Sequence, residues 1–108
     1  MPPHYENLDA LIRTIGHKSA GEKIGAIEDG ACPVGMYASF NYSGKRWVVH
    51  NDCTVGRLRS LWRAIERGPD FVEIIPTRTR FRLNITGAPQ RGLYVYRLGP
   101  ALPGLRAS

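Results

Sequence analysis

After Glu73 the chain contains no acidic residue. Met1 to Glu73 holds nine Lys or Arg against nine Asp or Glu, so the whole net charge of +6 falls between Ile74 and Ser108. A uniformly basic surface is thereby excluded. Lysine is scarce as well: arginine supplies 12 of the 15 basic residues, and its planar fork matches phosphates, carboxylates and aromatic faces better than an ammonium does.

Other shortages narrow the function classes. There are only two cysteines, Cys32 and Cys53, too few for a disulfide scaffold, and no Cys-x-x-Cys or His-x-x-x-His pair marks a metal site. No apolar run approaches the roughly 20 residues that cross a bilayer. Met1-Pro2-Pro3-His4-Tyr5-Glu6 lacks the basic-then-apolar order of a signal peptide, so the expectation is a cytoplasmic protein with reduced thiols and no membrane partner. Gly21-Glu22-Lys23-Ile24-Gly25 lacks the Lys-Ser ending of a phosphate loop, and no cofactor is expected.

At 108 residues with 43% hydrophobic content, the chain has material for one core. We read residues 1–98 as one α+β domain and 99–108, which contains Gly99-Pro100 and Pro103-Gly104, as a flexible tail. Leu8, Leu11, Ile12 and Ile15 recur at helical spacing, and Gly16 follows. Ser19-Ala20-Gly21-Glu22 fits a capping box opening a second helix over 19–27, with a strand over Lys23 to Ile27 as the alternative. Val34 to Asn41 and Arg46 to His50 read as a hairpin in which Phe40 and Ala38 share a side with Trp47 and Val49.

Thr54 then caps a helix whose stripe is Val55, Leu58, Leu61, Trp62 and Ile65, stopped by Gly68-Pro69. Phe71 to Ile75 is a short strand, Thr77 to Thr86 alternates over ten residues, and Leu93 to Leu98 returns as its partner. The expected order is α-α-β-β-α-β-β-β, an antiparallel sheet of about five strands with helices on one face.

The strongest functional feature is the alternation Arg78, Arg80, Arg82, Asn84. Residues two apart on a strand advance about 6.8 Å, close to the spacing of phosphates along one nucleic-acid strand. Tyr94 and Tyr96 fall on the paired strand, and with the arginines they would form a cationic stacking platform. A register shift of one residue would instead bring Val95 and Arg97 to that side. The candidate binding residues are therefore Arg78, Arg80, Arg82, Asn84, Arg91, Tyr94, Tyr96 and Arg97.

Three functions follow in order. The first is a non-catalytic module on a nucleic-acid backbone. The second is a protein-interaction module, such as a phage- or plasmid-borne inhibitor or adaptor, on an acidic protein surface. The third is a small ribonuclease or toxin using His50. Cys53 near a helix start, with His50 as its base, is a weaker catalytic reading.

Overall fold

The computed structural model describes residues 3–26, 36–88 and 92–106. A two-residue strand, β1 (His4–Tyr5), precedes helix α1 (Leu8–Ile15). Asn7, in extended conformation, opens the helix by accepting from the Ala10 amide at 2.9 Å, one of the donors that a helix start leaves without an internal acceptor. Leu8, Leu11, Ile12 and Ile15 are buried as their spacing predicts. His4 is anchored too: Nδ1 lies 2.8 Å from the Ser39 hydroxyl and Nε2 3.1 Å from the Leu102 carbonyl.

The second helix expected over 19–27 does not form in its described part, 19–26. Ser19 to Glu22 make a turn, Lys23 bridges to Thr54, and Ile24–Ala26 form a single 3-10 turn; Ile27 lies outside the described residues. A distant helix supplies the reason. The amides of Val55 and Gly56 donate to the Glu22 and Ala20 carbonyls at 2.9 and 2.8 Å, while Ile24 and Gly25 donate to Cys53 and Asn51. Each segment satisfies groups that the other would leave orphaned.

The hairpin forms as expected in its described part, from β2 (Ala38–Tyr42) and β3 (Lys45–Val49). Val34 lies outside the described residues. Ser43 and Gly44 make the two-residue turn with φ of 51° and 73°, the positive values that match the twist of paired strands. Ala38 stands opposite Val49 and Phe40 opposite Trp47, all fully buried.

Helix α2 (Val55–Arg67) has the predicted Thr54 cap, whose hydroxyl accepts from the Arg57 amide, and it ends at Gly68 with φ of 135°. Its outer arginines are not all idle. Arg59 donates to the Gly16 and Lys18 carbonyls, both at 2.6 Å, and so binds α2 to the end of α1.

Beyond α2, β4 (Val72–Pro76) and β5 (Phe81–Ile85) form a hairpin not foreseen from the sequence. The ten-residue strand over Thr77 to Thr86 is thus corrected. Thr77 to Arg80 close a tight turn in which the Thr77 hydroxyl both donates to the Arg80 carbonyl, at 2.7 Å, and accepts from the Arg80 amide, at 3.1 Å. The last strand is β6 (Val95–Pro100).

Among the described residues the sheet has six strands in the order β1-β2-β3-β6-β5-β4, and β1 lies parallel to β2, so it is mixed rather than antiparallel. The α+β class stands, with two α-helices among the described residues instead of the three expected. Leu11, Leu58 and Leu61 of the helices pack with Phe40, Trp47, Leu83 and Val95 of the sheet in one core. β6 continues past Leu98 to Pro100, and Leu105 bridges to Tyr5. No helix among the described residues is long and apolar enough to cross a membrane.

Gly25 illustrates how close the loop packing is: a Cβ there would stand 2.5 Å from the Asn51 Cβ. Gly25→Ala is expected to lower stability by about 1–3 kcal/mol, the range for overpacking a closely packed site. Chemical denaturation checks this, and a variant as stable as the native chain would contradict the packing.

Candidate functional site

Register decides which side chains meet. Arg82 stands directly opposite Tyr96, and Tyr96 opposite Val48, while Val95 is fully buried in the core. Tyr96 and Arg82 therefore share the sheet face turned away from the helices. The opposite register, which would have put Val95 there, is not adopted.

Only Arg82 of the three arginines lies on a strand. Arg78 and Arg80 sit in the turn between β4 and β5, because the Thr77 closure takes the chain out of extended conformation. A three-rung ladder at strand spacing does not exist. The turn nevertheless folds Arg80 back so that its guanidinium lies 5.0 Å from the centre of the Tyr96 ring. An open groove of about 480 Å³ results, lined by His50, Thr77, Arg78, Arg80, Arg82 and Tyr96.

His50 enters this groove from the end of β3, where its amide donates to the Tyr94 carbonyl at 2.8 Å and its ring lies 5.6 Å from the Tyr94 ring. Its Nδ1 accepts from the Asp52 amide at 3.1 Å, which leaves Nε2 for a ligand. The Asp52 carboxylate is 3.7 Å from Nδ1. No carboxylate pairs with Arg78 or Arg80 among the described residues. The groove is thus cationic, with aromatic rings set into one wall.

The remaining candidates are placed otherwise. Arg97 lies opposite Trp47 on the helix-facing side, with its guanidinium 3.7 Å above the Phe81 ring. It lines a second groove of about 450 Å³ with Lys45, Phe81 and Leu98, and Arg80 borders both grooves. Asn84, expected at the surface, is 1% exposed and donates through Nδ2 to the Glu73 carboxylate at 3.2 Å. Its Oδ1 has no hydrogen-bond partner among the described residues, a cost of about 1–3 kcal/mol for a buried acceptor. Arg91 lies outside the described residues.

Three contributors escaped the sequence reading. His50 was weighed as a base for Cys53 and as the residue of a small ribonuclease but not as part of a binding surface, while Lys45 and Phe81 carried no signal because their contacts depend on strand order. His50 was the one within reach, since a residue just past a strand flanked by polar neighbours sits at a sheet end.

Cys53 is not the activated thiol that its place before α2 suggested. It is fully buried, its thiol donates to the Thr54 carbonyl, and burial pushes its pKa from 9.0 up to about 11, outweighing a hydrogen bond from the Tyr94 backbone and the charge of Arg57. Cys32 lies outside the described residues. In a Cys32→Ser variant, leaving Cys53 as the single thiol, a disulfide reagent at pH 8 is expected to modify the native protein far more slowly than the denatured one; equal rates would contradict the burial. The raised pKa also carries a sign: the unfolded chain releases this proton near pH 9 and the folded one near 11, so stability falls as pH rises across that window.

Comparison with protein-family models, with curated proteins and with solved structures finds no match, so the site rests on its own geometry.

Proposed function

We propose that the protein is a non-catalytic binding module that holds a single-stranded nucleic acid in the groove of Arg78, Arg80, Arg82, His50 and Tyr96. The observation that carries this reading is the Arg80 guanidinium held over Tyr96, with Arg82 beside that ring across the strand pair. A ring capped by a guanidinium is a flat, cationic surface on which a base stacks and beside which a phosphate is neutralised. A duplex offers no splayed bases to such a surface.

The groove suits a backbone better than a folded protein surface because its arginines converge from two directions, the turn and β5, on one trough. The second groove favours the alternative partner. There Arg97 and Lys45 flank Phe81 and the 48%-exposed Leu98, the mix of cation and apolar surface that acidic protein partners cover.

Affinity for a fluorescent single strand should fall steeply with salt, and Arg80→Ala should reduce the slope of log affinity against log salt by about 0.7–1. Arg97→Ala should leave that slope within error of the native value. No binding at low salt, together with recovery of one defined acidic protein after nuclease treatment, would replace this reading with the second.

A further inference from the structure

The turn closed by Thr77 gathers charge. On an extended strand Arg78, Arg80 and Arg82 would stand about 6.8 Å apart, one for each phosphate of a passing chain. In the folded turn they line a single trough with His50, Thr79 and Tyr96. We infer that this trough receives the phosphorylated end of a strand, a phosphate monoester, rather than an internal stretch of backbone; the inference rests on the nucleic-acid reading of the same groove.

Charge matching comes first. The trough, about 480 Å³, lies in the range of about 300–1,000 Å³ that holds one small ligand, so it takes one nucleotide rather than a run of them. An internal nucleotide brings a single negative charge to this cluster. A terminal phosphate brings about −1.5 to −2 and three acceptor oxygens on one phosphorus. Arg78 and Arg80, with which no carboxylate pairs among the described residues, each offer a planar fork that grips two such oxygens.

His50 adds a directed donor. Its Nδ1 accepts from the Asp52 amide, which places the proton of the neutral ring on Nε2 and leaves that N–H for a phosphate oxygen. Thr79, exposed in the turn, adds a hydroxyl. Donors therefore come from the turn on one side and from the end of β3 on the other, an arrangement that suits a tetrahedral phosphate and not the flat edge of a base.

Tyr96 places the rest of the nucleotide. Its ring lies in the same trough, 5.0 Å from the Arg80 guanidinium, so the terminal base stacks there while its phosphate reaches the arginines.

The test uses the full chain and three thymidine strands: an octamer with a 5′-phosphate, an octamer with a 3′-phosphate, and a decamer with hydroxyl ends, whose diesters carry about the same total charge as a phosphorylated octamer. A phosphorylated octamer is expected to bind about tenfold more tightly than the decamer at one salt concentration, the worth of charge-assisted contacts that diesters do not make. The two octamers tell which end is held, and the gain on either supports the inference. Arg78→Ala should bring the phosphorylated octamer down to the affinity of the decamer. Tyr96→Leu, which removes the stacking surface, should weaken octamer and decamer by the same factor and preserve their ratio. Pyrophosphate, which has no base, should displace the phosphorylated octamer at an ionic strength where sodium chloride does not. The end-binding inference is overturned, and the groove reading left intact, if both octamers bind like the decamer, if Arg78→Ala leaves the gain in place, if the ratio collapses in Tyr96→Leu, or if pyrophosphate acts no better than chloride. If no strand binds at low salt, decamer included, the groove reading falls and the inference with it.

Discussion

One backbone pair, Arg82 with Tyr96, joins the two parts of the sheet. On one side lie β1, β2, β3 and β6, and on the other the β4–β5 hairpin. Antiparallel pairing puts directly opposed residues on the same face, so this contact fixes that the arginine and the tyrosine meet and that Val95 and Leu83 point into the core beneath α2. A slip of one residue would bury Tyr96 and expose Val95. The hydrophobic requirement of the core thereby sets the chemistry of the outer face.

The same junction shapes both the groove and the cavity beside α2. Before it, the β4–β5 turn leans over β6 and lays Arg80 on Tyr96; after it, the strands part beside a cavity that Asn84 helps to line. Groove and cavity are two consequences of a short pairing.

How much of this could be read from residues depends on how local each cause is. α2 was legible in full because its stripe, its Thr54 cap and its Gly68-Pro69 stop all lie within the helix or beside it. The β2–β3 hairpin was legible in its described part for the same reason. The segment over 19–27 was not, although Ser19 and Glu22 fit a capping box, because the acceptors needed by Val55 and Gly56 lie more than thirty residues away in sequence. Thr77 to Arg80 misled for another reason. Alternation reports a strand only when one of its two sets is apolar, and Thr-Arg-Thr-Arg is polar in both; the apolar alternation begins at Phe81, where β5 begins. β1 is two residues long and carries no period at all. Of the site, the chemistry of Arg80, Arg82 and Tyr96 was legible, but the folding of Arg80 over the ring from a turn was not.

The central claim is that the face bearing Tyr96 is where a single strand lies. Ultraviolet cross-linking to a short thymidine-containing strand, with the adducts mapped by mass spectrometry, reads this directly. Adducts on Tyr96, and on Tyr94 or His50 beside it, are the predicted result. Adducts confined to residues of the helix-covered side, such as Trp62 or Phe71, would contradict it.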